Sequence, residues 1–203
     1  MMVGALDSPF PLVVASNVAS ATSRLQSEDR DAIEACQRGE REAFDRLVAR
    51  YQRDVYRLCY RYVNNHHDAN DLAQEAFLRA YRAIGKFRGD SSFSTWLYRI
   101  AVNACLSFRA SRKAAAEELS ESLADGASPV TESLERAEQS SRVREAVSRL
   151  PEKQRATLIL KIYHELTHEE VAKILGSSVG TVKANLFHAL GNLRRLLAAE
   201  GGE

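Results

Sequence analysis

Five consecutive residues, His164 to His168, read HELTH and match the H-E-x-x-H zinc signature of metallopeptidases. That chemistry requires both imidazoles on one face of a continuous helix, with the glutamate beside them as general base. Thr167, followed by Glu170 and the apolar Val171, instead predicts a capping box that opens a helix at Thr167. His164 would then precede the helix, so we disfavour the zinc-peptidase interpretation and predict no metal site.

The composition is that of an ordinary globular protein. The chain has 203 residues, of which 45% are hydrophobic and 27% charged, so it allows one sizeable domain or two small ones. No window approaches the run of about 18 to 20 apolar residues that crosses a bilayer. Three cysteines without a C-x-x-C pair indicate reduced thiols in the cytoplasm. Residues 1–27 begin without basic residues, which predicts a disordered extension rather than an export signal.

Charge is distributed unevenly along the chain. Residues 28–113 carry 16 basic and 12 acidic groups, residues 114–141 carry one and seven, and residues 142–203 carry ten and seven. The middle segment is rich in Ala, Ser and Glu and has little apolar periodicity. The pattern predicts two mildly basic modules joined by a flexible acidic linker.

Helical spacing of apolar residues recurs, whereas no stretch alternates long enough to predict a sheet. One helix is predicted from a cap at Asp68 to a stop at Gly85, with a buried stripe. Its opposite face combines acids and an amide with a leucine: Asp71, Gln74, Glu75 and Leu78. Taken alone, this face is more typical of a solvated surface, and a docking surface is the alternative.

The next stretch is basic and aromatic. Between Arg79 and Lys113 there are eight Lys or Arg residues and one acid, Asp90, interleaved with six aromatic residues. Basic groups neutralise phosphates and aromatic faces stack on unpaired bases. The segment from Arg88 to Trp96 breaks the helical pattern at Gly89 and resumes it at a Ser or Thr cap. We therefore predict a nucleic-acid interface here, in preference to a solvated charged face.

The C-terminal residues predict a helix-turn-helix. The first helix is capped at Thr167, Gly176 makes the turn, and Ser177 caps a second helix. In that second helix the predicted buried stripe is Val179, Val182, Leu186, Leu190, Leu193 and Leu197. The residues predicted to face outward, toward a DNA groove, are Thr181, Lys183, Ala184, Asn185 and His188.

The segments "DANDLAQEAFLRAYRAIGKFRGDSSFSTWLYRIAVNAC" and "LTHEEVAKILGSSVGTVKANLFHALGNLRRLL" resemble a bacterial sigma factor of the extracytoplasmic-function (ECF) type. The resemblance implies an all-α fold of two small helical domains: region 2 in residues 28–113 and region 4 in residues 136–203, joined by a linker over residues 114–135. It implies no enzymatic activity and no cofactor. The partners it implies are core RNA polymerase, promoter DNA and an anti-sigma factor, with no small-molecule substrate and no direct membrane insertion.

The resemblance also assigns residues. The face of Asp71, Gln74, Glu75 and Leu78 resembles the surface that docks on polymerase, which reverses the preference drawn from that helix alone. A second group resembles the part that recognises and melts the minus-10 element: Arg88, Gly89, Asp90, Ser91, Ser92, Phe93, Trp96, Arg99 and Asn103. The outward face of the helix-turn-helix resembles the reader of the minus-35 element. Family members often have Arg where Asn185 and His188 stand, so base preference does not carry over.

A conventional helix-turn-helix regulator is the alternative. It would need an effector or phosphoacceptor domain, but residues 28–113 show no alternating strand and helix pattern. The resemblance places the protein in the cytoplasm, where a membrane-bound anti-sigma factor could hold it at the membrane.

Overall fold

The computed structural model describes residues 27–118 and 142–199, with side-chain surroundings as far as Arg112 in the first range. The predicted N-terminal extension, apart from residue 27, and most of the predicted linker lie outside the described residues. Within these two ranges all regular structure is helical, as the sequence predicts. No helix in this part of the chain is long and apolar enough to cross a membrane.

The chain divides into two compact units, residues 1–47 and 48–203. In the described part of the first unit, helix α1 spans residues 27–37 and has buried positions at Ala32, Ile33 and Ala35. A turn follows, in which Gly39 has a φ of 97°. That angle favours glycine because a side chain would clash with the backbone. The turn leads into helix α2.

Three helices, which we call the α2–α4 module, come next; α2 begins five residues before the boundary between the units, and the rest of the module belongs to the second unit. They are α2 (Ala43–Val63), α3 (His66–Ala83) and α4 (Phe93–Glu118), and α3 is followed by a 3-10 turn, Ile84–Lys86. Helices α3 and α4 pack against each other. Small residues of α3, Ala69, Ala76 and Ala80, are fully buried and allow the close approach.

Two helix boundaries differ from the sequence predictions. The N-cap of α3 is Asn65, whose Oδ1 accepts a hydrogen bond from the Asp68 backbone N at 3.0 Å, and the prediction of Asp68 as cap is wrong. The Asp68 carboxylate instead pairs with Arg112 at 3.0 Å. The second difference is at the C-terminal end of α4, which extends to Glu118, into the segment predicted as linker. The helix continues there because the sequence Ala114–Glu118 consists of strong helix formers.

Two cysteines of this module lie in its core. Cys59 and Cys105 are buried and Cys36 is half-buried, and all three thiols are free. A hydrogen bond with Cys59 and burial together raise the pKa of Cys105. Burial makes Cys59 and Cys105 unreactive thiols of a packed core.

The remaining helices form the α5–α8 module. They are α5 (residues 142–148), α6 (Glu152–Leu158), which continues as a π-helix (Ile159–Tyr163), α7 (His168–Leu175) and α8 (Val179–Ala199). One hydrophobic cluster joins α5, α6 and α8 around Val147, Leu150, Leu158 and Ala189. Leu186, Leu193 and Leu196 pack against its edge.

The buried stripe of α8 is offset from the prediction. Leu190 is 48% exposed, whereas Ala189 is fully buried, so the assignment of Leu190 to the core is wrong. The buried and half-buried positions 182, 186, 189, 193 and 196 also recur every three or four residues, on a stripe that leaves position 190 outside. A small alanine at the central position lets α8 lie close to α6.

A fully buried arginine connects two helices of this module. Arg155 is 1% exposed, and no carboxylate among the described residues pairs with it. Its Nε donates to the Val147 carbonyl at 2.9 Å and its Nη2 to the Leu150 carbonyl at 3.1 Å. These carbonyls belong to the end of α5 and the turn after it, where the helix leaves acceptors without intrahelical partners. The guanidinium therefore fastens the end of α5 to α6.

Candidate nucleic-acid interface

The five residues HELTH do not share a helix. His164 follows the π-helix, and α7 begins at His168. Thr167 is the N-cap: its Oγ1 accepts from the Glu170 backbone N at 3.2 Å, and Glu170 Oε2 accepts from the Thr167 backbone N at 2.8 Å. The predicted capping box is confirmed. The two imidazoles cannot project from one helical face, and no cluster within the described residues could hold a metal ion.

The helix-turn-helix is present between α7 and α8. Gly176 ends α7 with φ 58° and ψ 43°, the left-handed conformation that glycine adopts readily. The cap of α8 is Ser178, one residue later than predicted: its Oγ accepts from the Thr181 backbone N at 3.0 Å. Val171 and Val182 are fully buried where α7 and α8 pack together.

The outward face of α8 contains the residues predicted for it. Thr181, Lys183, Ala184 and His188 are exposed and Asn185 is half-exposed, within the first three turns. Phe187 is 75% exposed on the same part of the helix and was not predicted. Position 187 belongs neither to the predicted buried stripe of α8 nor to its predicted polar outward face. An apolar residue outside the stripe is a sequence signal that could have identified Phe187 as a surface residue. An aromatic side chain there can make an apolar contact with a thymine methyl group.

The second candidate surface is the connection between α3 and α4. Gly89 has a φ of 76°, and Arg88 and Asp90 are exposed. Ser92 is the N-cap of α4: its Oγ accepts a hydrogen bond from the Thr95 backbone N at 3.2 Å. The sequence predicts a Ser or Thr cap at this place. One turn and two turns further along α4, Arg99 and Asn103 are exposed.

Aromatic rings pack against one another beneath the connection between α3 and α4. Phe93 is 3% exposed, and its ring centroid lies 5.7 Å from that of Trp96, 6.1 Å from that of Phe87 and 5.4 Å from that of Tyr51. Its side chain is therefore packed beneath the loop in this structure and is not accessible at the surface. Trp96 is half-buried, with one side on Phe87 at 5.2 Å. The sequence could not separate Phe93 from Trp96, because both are aromatic and lie in the first turn or so of α4.

The acidic face of α3 is exposed, next to a groove. Asp71, Gln74 and Leu78 are exposed, Leu78 by 50%, and Glu75 is half-buried. Asp71 contacts His67 at 3.0 Å and Glu75 contacts Arg79 at 2.7 Å. Between α2 and α3 the groove has a volume of about 510 Å³, and it is lined by Val48, Gln52, Arg53, Tyr56, Asn70, Ala73, Gln74 and Phe77. A leucine surrounded by acids and an amide can bury apolar area while the charges orient a partner.

Together these surfaces define a class of protein. A helix-turn-helix in one module and a basic connection beside aromatic residues in the other, within the helical part of the chain that the structure describes, are typical of a DNA-binding protein. Residues 47–115 match the model of Sigma-70 region 2, and residues 140–193 match that of Sigma-70, region 4.

Relatives agree with these matches. The chain is 39% identical over 175 residues to the RNA polymerase sigma-H factor of Pseudomonas aeruginosa, covering 81% of this chain and 91% of that protein. It is 37% identical over 177 residues to the ECF RNA polymerase sigma factor SigW of Bacillus subtilis, covering 81% and 94%. The chain belongs to the ECF family of RNA polymerase sigma factors. Such factors direct core polymerase to promoters and are not enzymes.

Solved structures with the same fold include CnrH, determined in complex with the cytosolic domain of CnrY. It has a TM-score of 0.65 and 25% identity, over 85% of this chain and 98% of CnrH. The sigma factor RpoE of Bartonella quintana, determined with the anti-sigma factor NepR, has a TM-score of 0.59 and 22% identity, over 76% of this chain and 96% of RpoE. The alternative of a conventional helix-turn-helix regulator is not favoured, because the first module of this chain matches Sigma-70 region 2.

Proposed function

We propose that this chain binds core RNA polymerase and directs it to promoters with specific minus-10 and minus-35 elements. The observation that carries the proposal is that one chain matches Sigma-70 region 2 and, after it, Sigma-70 region 4, each over a module with an exposed candidate DNA surface. Region 2 would occupy residues 28–113 and region 4 residues 136–203, joined over residues 114–135. The protein would act by binding alone, without a catalytic residue of its own.

Polymerase docking is assigned to the exposed face of α3. Asp71, Gln74, Glu75 and Leu78 lie on this face, and two of them carry negative charge. The ion pairs of Asp71 with His67 and of Glu75 with Arg79 are exposed. Exposed pairs are worth at most about 1 kcal/mol, so a basic partner surface can replace them at low cost. The groove beside Gln74 would receive an apolar side chain of the polymerase.

Recognition and melting of the minus-10 element is assigned to the loop before α4 and to the exposed side of that helix. Arg88, Gly89, Asp90, Ser91 and Ser92 supply backbone and small polar groups that can hold an unstacked base. On α4, the residues assigned to the same role are Trp96, Arg99 and Asn103. Because Phe93 is buried, we assign it the support of this loop rather than contact with DNA.

Reading of the minus-35 element is assigned to the first three turns of α8. Thr181, Lys183, Ala184, Asn185 and His188 present polar or small groups to a major groove. We add Phe187 to this set because it is 75% exposed between them.

An anti-sigma factor is the proposed regulator, acting in the cytoplasm. CnrH and RpoE of Bartonella quintana have this fold and were determined with the cytosolic domain of CnrY and with NepR, respectively. A partner of that kind, free or anchored at the membrane, would restrain this chain by covering its polymerase or DNA surfaces.

Transcription with purified components tests the proposal. The protein is added to core RNA polymerase with fragmented genomic DNA, and the 5′ ends of the transcripts are mapped. We expect new start sites that share two sequence elements upstream and that are absent when core polymerase acts alone. Start sites unchanged by the added protein would overturn the proposal.

The roles of Asn185 and Lys183 can be separated by mutation. Asparagine can make a bidentate pair with an adenine edge, so Asn185→Ala should cost about 1 to 3 kcal/mol at one base position and relax the preference there. Lysine contacts phosphate as a point charge, so Lys183→Ala should weaken all promoters similarly and flatten the salt dependence. Initiation from a library of minus-35 variants measures both effects. An unchanged preference in both variants would mean that another face of α8 reads the DNA.

A further inference from the structure

Helices α2 and α3 meet at a tight corner. Only Asn64 and Asn65 separate Val63, the last residue of α2, from His66, the first residue of α3. Asn64 has a φ of 53°, in the left-handed region that asparagine enters more readily than most residues. Because Asn65 then caps α3 at once, the corner turns His66 back onto the last turns of α2.

Three aromatic rings pack together at this corner. The ring centroids of Tyr60 and His66 are 4.4 Å apart, and their planes differ by 24°. The Tyr56 hydroxyl and His66 Nδ1 form a hydrogen bond of 2.6 Å, and the planes of these two rings differ by 19°. Since the bond joins the ring edges, Tyr56 and His66 make one nearly flat surface, with Tyr60 against one side of it. We call these three residues the ring platform.

The ring platform is not part of the hydrophobic core. Tyr56 and Tyr60 are half-buried and His66 is exposed. The buried side chains on the same stretch of α2 lie on another face: Val55, Leu58, Cys59 and Tyr62. Because Tyr60 covers one side of the flat surface while His66 remains exposed, the other side is open to solvent.

Two arginines flank the ring platform. Arg53 and Arg57 are exposed on α2, one turn or about 6 Å apart along the helix. They are three or four residues from Tyr56 and Tyr60, which places them beside these rings. Arg57 lies 3.8 Å from Asp54 in an exposed pair, and such pairs are weak. The surroundings of the rings therefore favour an anionic ligand over a cationic one.

A flat aromatic surface beside two cations fits a nucleotide in a single strand. Aromatic faces stack on unpaired bases, and arginines bind the neighbouring phosphates. The bases of a duplex stack on one another and are unavailable. A protein partner would require an apolar centre. Among the described residues of α2 and α3 the exposed large hydrophobic side chains are Leu78 and Tyr81, of which Leu78 is about 18 Å along α3 from His66.

The ring platform is separate from the DNA surfaces assigned above. It lies at the start of α3, whereas the connection assigned to the minus-10 element follows the end of this helix, 18 residues or about 27 Å away. Helix α4 runs back along α3, since Arg112 near its end pairs with Asp68 at 3.0 Å. Of the platform and its arginines, only Arg53 and Tyr56 line the groove between α2 and α3.

We propose that the ring platform, with Arg53 and Arg57, is an additional binding site for single-stranded DNA. One base stacks on the open side of the surface made by Tyr56 and His66, and the arginines contact the phosphates beside it. The source of the strand, an opened promoter, rests on the proposed function. A strand held by the minus-10 connection would reach the platform at most about eight nucleotides further along, at about 3.4 Å per nucleotide.

Binding of a labelled oligothymidylate of about 12 nucleotides to the free protein, followed by fluorescence anisotropy, tests the stacking. The double variant Tyr56→Ala with Tyr60→Ala should bind about 10-fold to 100-fold more weakly. Tyr60→Phe keeps the ring and should bind as the wild type does. The matched control is Tyr81→Ala, which removes an exposed tyrosine from α3. Circular dichroism checks that each variant is folded, and equal binding by the folded double variant and the control would overturn the site.

The salt dependence of the same binding tests the arginines. Each phosphate contact to a single strand contributes about 0.7 to the slope of log affinity against log salt concentration. Arg53→Ala with Arg57→Ala should therefore reduce this slope by about 1.4. The control with the same loss of charge is Arg30→Ala with Arg38→Ala, both exposed and in the other unit. An equal change in both variants would show that only net charge matters and would contradict the proposal.

Photocrosslinking locates the bound strand. The thymines of the oligonucleotide are replaced by 5-iodouracil, which couples on irradiation to aromatic rings stacked on it, and the coupled peptides are identified by mass spectrometry. We expect coupling at Tyr56, Tyr60 or His66. Coupling confined to residues 88–103 would refute the site, because the minus-10 surface alone would then hold the strand.

Two competitors define the ligand further. An unlabelled duplex of the same length and free thymidine monophosphate should both displace the oligonucleotide from the platform far less well than the unlabelled single strand does. Equal displacement by the monophosphate would mean that the site takes a free nucleotide and would refute a strand. All these measurements use the protein without polymerase, so their failure leaves the transcription test of the proposed function unaffected, and failure of that test leaves them unaffected.

Discussion

Replacing Arg155 with alanine should lower the free energy of unfolding by about 2 to 5 kcal/mol, the range for replacing a large buried side chain with alanine. The substitution removes two charge-assisted hydrogen bonds, to the carbonyls of Val147 and Leu150, and leaves both acceptors without these donors. It also opens a cavity, because Arg155 is among the largest fully buried side chains in the described part of the chain. Urea denaturation followed by circular dichroism measures the loss.

Two further variants make this prediction specific. Arg149→Ala is the control, because Arg149 forms an exposed pair with Glu145 at 3.2 Å, and such pairs contribute at most about 1 kcal/mol. Arg155→Met keeps most of the volume but neither hydrogen bond, so it should fall between the wild type and Arg155→Ala. If Arg155→Ala costs no more than the control, the guanidinium does not hold α5 and α6 together.

Reversing two charges on α3 should weaken polymerase binding more than any single substitution there. In the double variant Asp71→Arg with Glu75→Arg, two acids on the proposed docking face become basic. Like charges brought together in an interface cost several kcal/mol. We expect a loss of about 2 to 4 kcal/mol, which is roughly 30-fold to 1,000-fold in the dissociation constant. Competition with labelled wild-type protein for core polymerase measures it.

The control reverses the same charges on a different helix. Asp31 and Glu34 are exposed on α1, three residues apart, so Asp31→Arg with Glu34→Arg changes the net charge equally. We expect this variant to compete as the wild type does. The α3 variant should keep its helical circular dichroism, because it loses only the exposed pairs with His67 and Arg79. If it competes as well as the control, the docking surface lies elsewhere.

Local features of the fold were predictable from the sequence. The capping box of Thr167 and Glu170 and the turn at Gly176 depend on residues within one turn of each other. Such contacts form whenever the local backbone can adopt them, so a short pattern specifies them. The order of the two modules and the family also follow from these segments. Errors at this level were small: the caps are Asn65 and Ser178 rather than Asp68 and Ser177.

Which apolar residues face a partner was decided only by tertiary packing. Ala189 rather than Leu190 is buried, because α8 must approach α6 closely and only a small side chain fits there. Phe93 is buried because the rings of Phe87 and Trp96 pack against it, although Ser92 before it is exposed and Ser94 after it is half-buried. Hydrophobicity gives each residue a preference for burial, but its surroundings depend on helices that are distant in sequence.

Two polar residues, Arg155 and His164, show the same division. The sequence identifies Arg155 and His164 only as a basic residue in a helix and a histidine in a zinc-like motif. Packing places Arg155 on carbonyls five and eight residues away, and it places His164 on Tyr98, 66 positions earlier in the chain. Hydrogen bonds and ring contacts of this kind act over a few ångströms in space, whatever the separation along the chain, so only the folded structure determines which groups meet.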